Sequence, residues 1–262
     1  MSKINIFDKN IFKQKTFIIA GGTSGIGSAV AMNISRLKGN VILIGRSLNK
    51  LKSVFNNLET FSENQKHFYY KCDLSNFDHS FETFTNIKNL DIELDGLVWT
   101  AGSELIKNSS MINSSDVHNV FDVISYGLTG SAKAFCSKHF WKKNSGSIVL
   151  ISSVASNRSS PGMLLYSAAK SALSGITKSL ALDLSKSNVR VNNVLLGAVE
   201  TEMHSRITKF LDESSINFYR DKHLLGFGKK DDVSALIVYL LSDASSWMTG
   251  SDIVLDGGLL IN

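Results

Sequence analysis

A doubly wound α/β fold is the architecture this 262-residue sequence predicts, and three observations predict it. Thr16-Phe-Ile-Ile19 reads as a short buried strand that runs into the glycines of Gly21-Gly-Thr-Ser-Gly25-Ile-Gly27. A helical apolar period follows at once, with Ile26, Val30, Ile34 and Leu37 inward. The same strand-then-helix alternation recurs three more times, and strands joined through helices pair in parallel with right-handed crossovers. No Pro-, Gly- or Ser-rich linker divides the chain, so residues 1–262 are expected to form one domain, a parallel sheet of about seven strands flanked by helices.

The elements follow in order. Val41–Ile44 is a strand, with a helix from about Leu48; His67–Lys71 is a strand, with a helix from about Phe77; Leu94–Val98 precedes a long helical region. Ser147–Ile151 is the next strand, and the helix that carries Tyr166 shows Ala169, Leu173, Ile176, Leu180 and Leu184 on one face. Val189–Val194 is a strand, Glu202–Gly228 is irregular, a helix lies near Asp232–Leu241, and Ile253–Leu255 is the last strand. Disorder is expected only in the first dozen residues. The single proline, Pro161, falls between Ser153 and Tyr166.

Composition bounds the function. A 43% hydrophobic content suits a soluble chain with a large core, and no apolar run is long enough for a bilayer or a secretion signal. A cytoplasmic protein without a membrane partner is expected. Cys72 and Cys136 stand alone in apolar or strand-like contexts, which predicts buried free thiols and neither a disulfide nor a metal site. The net charge of +5 is spread thinly, without a basic run, which argues for an anionic ligand far more than for nucleic acid.

Glycines between a strand and a helix let backbone N–H groups approach a phosphate whose charge the helix N-terminus favours. Gly21, Thr23, Ser24, Gly25, Ile26 and Gly27 are therefore candidate pyrophosphate contacts. Their spacing is Gly-x-x-x-Gly-x-Gly and not Gly-x-Gly-x-x-Gly, and a turn required only by packing explains it as well. The next strand ends in Gly45-Arg46-Ser47, with no acid to bind ribose hydroxyls. Arg46 is either a holder of a 2′-phosphate, with Ser47 beside it, or a solvated residue at a strand end. Asp73, followed by Leu74, either accepts from an adenine amine or caps the next helix.

Chemistry is expected at Ser153, Tyr166 and Lys170. Four residues along a helix place Tyr166 and Lys170 on one face, so an ammonium lies beside a phenol and favours its ionised form. Ser153, thirteen residues before Tyr166, is available to orient a reacting oxygen. The pair alone also arises by chance in a lysine-rich chain with six tyrosines.

Taken together these residues resemble the short-chain dehydrogenase/reductase family over nearly the whole chain. Gly21, Gly25 and Gly27 match its cofactor turn, Asp73 its adenine contact, Ala101-Gly102 its motif after the fourth strand, and Ser153, Tyr166 and Lys170 its catalytic set. Asn192, Gly197 and Thr201 follow in family order, and Asp256-Gly257-Gly258 resembles its C-terminal motif. The resemblance implies a Rossmann-like domain and hydride transfer between nicotinamide and a carbonyl or secondary alcohol, with NADP(H) favoured over NAD(H) on account of Arg46. It implies that Tyr166 is the general acid and base, that Lys170 lowers its pKa and holds the nicotinamide ribose, and that Gly197, Val199 and Thr201 meet the carboxamide. Members similar to this chain include 3-oxoacyl-acyl-carrier-protein reductases and sugar or steroid alcohol dehydrogenases. A small-molecule carbonyl substrate and a homo-oligomer, a homotetramer built on long helices and terminal strands with Trp247-Met248 alongside, are what such a resemblance implies.

Departures from the family pattern shape further expectations. Ala20 replaces a threonine, and Trp99-Thr100 replaces two asparagines; Thr100 can keep one hydrogen bond, while Trp99 suits core packing or a cofactor-side wall. Ile124 stands where many members carry an asparagine that holds a relay water. Ser125 replaces it only if the helix shifts or bulges, and a relay rebuilt through Ser125 or solvent, with slower turnover, is expected. Leu196 in place of a proline is expected to loosen its loop. The stretch at 202–228, with Met203, Ile207, Phe210, Ile216, Phe218, Tyr219 and Leu224 among charges, reads as a substrate lid or an ordinary surface hairpin, and His204 as an exposed residue or a substrate contact. These departures also leave room for an alternative, a cofactor-binding protein with little catalysis.

Overall fold

The computed structural model describes residues 8–262 apart from residues 91, 142, 144, 210 and 211. Seven strands form one all-parallel sheet: β1 (Thr16–Ala20), β2 (Asn40–Gly45), β3 (Phe68–Lys71), β4 (Gly96–Trp99), β5 (Gly146–Ser153), β6 (Val189–Leu196) and β7 (Asp252–Leu255). Their spatial order is β3-β2-β1-β4-β5-β6-β7. The central strands are apolar without alternation because helices cover both faces. On one face, α1 (Gly25–Arg36) and α9 (Lys230–Leu241) bury Val30, Ile34, Val233 and Ile237. On the other, α3 (Phe77–Asn89), α5 (Gly127–Phe135) and α6 (Leu164–Asp183) enclose Phe84, Phe135 and Leu173. The remaining helices are α2 (Leu48–Asn56), α4 (Ser114–Phe121), α7 (Glu202–Thr208) and α8 (Glu213–Asp221). Among the described residues no helix is long and apolar enough to cross a membrane.

The order reverses between β1 and β4, and this junction is tightly tied. Thr100 donates twice to the Ala20 carbonyl, from its N–H at 2.8 Å and its hydroxyl at 3.0 Å, as expected of that residue. Trp99 is wholly buried against Phe84, with ring centroids 6.4 Å apart, so it is core packing and lies away from the cofactor side. Its indole N–H meets no acceptor among the described residues.

Several expectations are corrected. Disorder in the first dozen residues falls partly on residues 1–7, outside the described residues, but Phe12 is fully buried with its ring 4.6 Å from that of Phe17. Cys72 is buried, whereas Cys136 is exposed at the end of α5. Leu196 loosens nothing: it pairs with Ser153 on one side and Leu255 on the other, extending β6 beyond the expected end. The long helical region splits at a π-helical turn, Asp122–Tyr126, and resumes where Gly127 presses on the backbone of Leu74; a Cβ there would overlap the Leu74 carbonyl.

The stretch read as irregular contains α7 and α8. Phe210 lies outside the described residues, as does the side chain of Ile207. His204, Tyr219, His223 and Phe227 form a ring cluster, with centroid separations from 4.7 Å for His204–Phe227 to 5.6 Å for Tyr219–Phe227. His223, only 3% exposed, locks the cluster to the loop after β6: its Nε2 accepts from the Ala198 N–H at 3.1 Å while Nδ1 faces the Tyr219 carbonyl at 3.1 Å. That pattern selects the tautomer with the proton on Nδ1. Replacing His223 with Phe is expected to leave the Ala198 N–H unpaired and cost about 1–3 kcal/mol, lowering Tm by several degrees in a thermal melt. An unchanged Tm would show that the histidine does not anchor this segment.

Candidate active site

The reversal of strand order opens a cleft of about 650 Å³ at the C-terminal ends of the strands. It is lined by Gly21, Thr23, Ser24, Gly25, Ile26 and Gly27 from the glycine turn, by Arg46, Ser47 and Leu74, by Ala101 and Gly102, by Ser153, Tyr166 and Lys170, and by Gly197, Val199 and Thr201. Of the residues expected from the sequence to catalyse or to bind the cofactor, all but one therefore line one cleft. The exception is Asp73, which does not line the cleft. Its carboxylate accepts from the Ser75 N–H at 3.1 Å and the Ser75 hydroxyl at 2.7 Å. The cap of α3 is Asn76, which accepts from the His79 N–H at 2.9 Å, so Asp73 is not the helix cap.

Two requirements shape the glycine turn. Gly21 has φ +89°, and a Cβ on it would lie 2.7 Å from the Ala101 nitrogen; a Cβ on Gly27 would overlap the Gly21 carbonyl. Those glycines serve the chain's own close packing. Gly25 has φ +56°, and a Cβ on it would make only ordinary contacts, with Glu202 at 3.6 Å and Thr201 at 3.7 Å. Ser24 is the N-cap of α1, yet its side chain makes no cap bond, which leaves the N–H groups of the first turn to the cleft. Backbone donors at the positive end of a 12-residue helix fit a pyrophosphate. Arg46 is exposed on the cleft rim, and Lys50, missed in the sequence, lines the cleft beside it. Ser47 caps α2, accepting from the Lys50 N–H at 3.4 Å. Among the described residues no cluster of side chains suits a metal ion.

The loop after β6 is held on both sides. A Cβ on Gly197 would lie 2.8 Å from the Cα of Asp256, so only glycine permits this approach. Val199 bridges Gly228, and the Glu200 N–H donates to the Gly228 carbonyl at 2.9 Å. Asn192, buried in β6, ties that strand to the turn before β7 through the Met248 carbonyl at 2.8 Å and the Ser251 N–H at 3.3 Å; its role is structural.

Ser153 ends β5, and its hydroxyl donates to the Leu196 carbonyl at 3.4 Å and accepts from the Ala155 N–H at 3.2 Å. Tyr166 and Lys170 sit in the first turns of α6, where Lys170 Nζ lies 5.8 Å from the Tyr166 ring centroid. Lys170 is 5% exposed and donates to the Ile151 carbonyl at 2.7 Å. Burial pulls its pKa down to about 8, against the opposing pull of Glu104. Burial also pushes the Tyr166 phenol well above its ordinary range; Glu104 adds to that rise and Ser153 offsets part of it. The expected depression by Lys170 is thus overridden, because desolvation of a phenolate outweighs an ammonium held over the ring face. A phenol in that state holds its proton near neutrality, and its pKa must fall before it gives that proton readily.

Ile124 is fully buried; Val123 lines the cleft in its stead. The helix does bulge here, but the Ser125 hydroxyl donates back to the Phe121 carbonyl at 3.1 Å and does not line the cleft. The structure thus gives the expected relay through Ser125 no support. Reasoning from the sequence also missed Glu104, which lies in the cleft and whose carboxyl burial raises to about 7 against the charges of Lys170 and Arg206. An acid three residues after Ala101 was its only signal. His204, expected to be exposed or to touch substrate, is half-buried on the cleft wall, and burial lowers its pKa.

Comparison with known proteins adds independent support. Residues 20–260 match the family model described as Enoyl-(Acyl carrier protein) reductase. The chain is 31% identical over 250 residues to carbonyl reductase family member 4 of Xenopus laevis, covering 95% of this chain and 99% of that protein. It is 29% identical over 252 residues to the 3-oxoacyl-acyl-carrier-protein reductase FabG of Rickettsia typhi, covering 95% of this chain and 98% of that one. A solved short-chain type dehydrogenase/reductase from Mycobacterium ulcerans superposes with a TM-score of 0.85 at 29% identity, covering 96% of this chain and 91% of that structure. Full-length similarity to reductases of this architecture favours an enzyme over the non-catalytic alternative. The chain belongs to the short-chain dehydrogenase/reductase family, and is an oxidoreductase that transfers hydride with a nicotinamide cofactor.

Proposed function

We propose that this enzyme uses NADP(H) in preference to NAD(H) and reduces a small carbonyl compound, or oxidises the corresponding secondary alcohol, with Tyr166 as general acid and base. The observation that carries this reading is the convergence of Ser153, Tyr166 and Lys170 on one cleft with the glycine turn and Arg46. The nicotinamide, when bound, supplies or accepts the hydride. The first-turn N–H groups of α1 would hold its pyrophosphate, Arg46 with Lys50 the 2′-phosphate, and Gly197, Val199 and Thr201 the carboxamide side. Ala101 and Gly102 wall the cleft between them, and Asp73 with Leu74 would meet the adenine.

In reduction, the Ser153 hydroxyl orients the carbonyl oxygen and the Tyr166 phenol delivers its proton to it. Lys170 stabilises the phenolate that remains and holds the ribose, and oxidation runs through the same groups in reverse. The segment at 202–228 acts as a lid, supported by the presence of Met203, His204, Arg206 and Tyr219 on the cleft wall. We further place the protein in the cytoplasm as a single domain of residues 1–262 that forms homo-oligomers. Exposure of Trp247 at 99%, with Leu182 and Val254 also exposed around β7, supports association there.

Replacing Tyr166 with Phe is expected to lower turnover by at least about 100-fold while nucleotide binding, read by fluorescence, persists. Turnover near wild type would remove the acid role. Lys170, with its pKa lowered to about 8, is charged below that pH and neutral above it. The rate of carbonyl reduction is therefore expected to fall as pH rises through about 8, and a profile flat beyond that point would contradict the role of its charge. Changing Arg46 to Ala is expected to weaken NADPH binding about 10- to 100-fold with little effect on NADH. Wild-type affinity for NADH equal to or above that for NADPH would sink the assignment.

A further inference from the structure

The loop after β4 places a carboxyl where the reaction described above has no use for one. Glu104 follows Gly102 by two residues and lines the cleft with Tyr166 and Lys170. It is half-buried, and accepts no hydrogen bond from any described residue. Four groups face it: Tyr166 and Lys170 from α6, Arg206 from α7 and Tyr219 from α8. A half-buried carboxyl in a reaction cleft that takes no donor from the protein is free to accept one from a bound molecule.

The surroundings select the kind of donor that would satisfy it. Arg158, Lys170, Arg206 and Lys222 all line the cleft, so a substrate ammonium would meet several like charges. A hydroxyl meets no such penalty. With its pKa raised to about 7, Glu104 is part acid and part carboxylate near neutrality, and a hydroxyl can donate to the one form and accept from the other.

We propose that Glu104 determines substrate specificity by hydrogen-bonding a hydroxyl group close to the reacting carbonyl, so that the preferred substrates are hydroxy ketones and not simple alkyl ketones. This rests on the carbonyl reductase reading given above. A matched series tests it: NADPH oxidation by the full-length enzyme with 2-butanone and with its 1-hydroxy, 3-hydroxy and 4-hydroxy derivatives. At least one hydroxy ketone is expected to exceed 2-butanone in kcat/KM by about 10- to 100-fold, the discrimination of a hydrogen bond to a charged group. In Glu104→Leu that ratio is expected to collapse towards one, and in Glu104→Gln, which keeps the acceptor oxygen and the shape, to be partly retained. The ratio is read within each variant, so altered stability does not enter it. A wild-type enzyme indifferent to the hydroxyl overturns the proposal, as does a preference that survives in Glu104→Leu. An equal fall in kcat for every substrate, with the ratio kept, would assign Glu104 to proton handling at Tyr166 and also overturn it. If no ketone is reduced, the carbonyl reductase reading fails and this proposal with it; ketone turnover without the expected ratios fails the proposal alone.

Discussion

A parallel sheet covered on both faces must pair its backbone groups along the ladder, because no water reaches them. Here that constraint is met by seven strands whose central members are buried without alternation, and the rest of the molecule follows from it. Polar work is displaced to the strand ends, and the reversal between β1 and β4 makes one set of ends concave. The two hydrogen bonds from Thr100 to the Ala20 carbonyl and the contact of Gly21 with Ala101 hold that junction. A glycine turn that looks devoted to a ligand is partly the price of bringing two strands this close.

Burial also sets the electrostatics of the cleft. Lys170 donates to a carbonyl at the end of β5, and the same desolvation that lowers its pKa raises that of Tyr166. Seen in the sequence alone, an ammonium four residues from a phenol implies an acidified tyrosine. In the folded chain Glu104 adds a charge of the opposite sign, and the tyrosine emerges as a held proton. Sequence spacing measures who is near along one helix; it does not register a carboxyl arriving from another loop.

The segment at 202–228 shows a similar interplay. Its charged and apolar residues alternate without a clean period, and the order it has comes from a ring cluster around Phe227 and from His223 reaching back to Ala198. That histidine belongs neither to a motif nor to the cleft wall, yet it links this segment to the loop after β6. Stability and site geometry meet in one buried imidazole.

The sequence by itself determined the order of the strands and of most helices, the parallel sheet, and the candidates Ser153, Tyr166, Lys170 and the glycine turn. Each of these depends on local period or on spacing within one or two elements, which a linear chain displays directly. Tertiary structure alone decided that Asp73 turns to Ser75, that Leu196 prolongs β6, that Ser125 bonds back to Phe121, and that Glu104 enters the site. Those outcomes depend on which partner is within about 3 Å once distant segments pack, and on how much water the packing removes. Neither quantity is written in residue order.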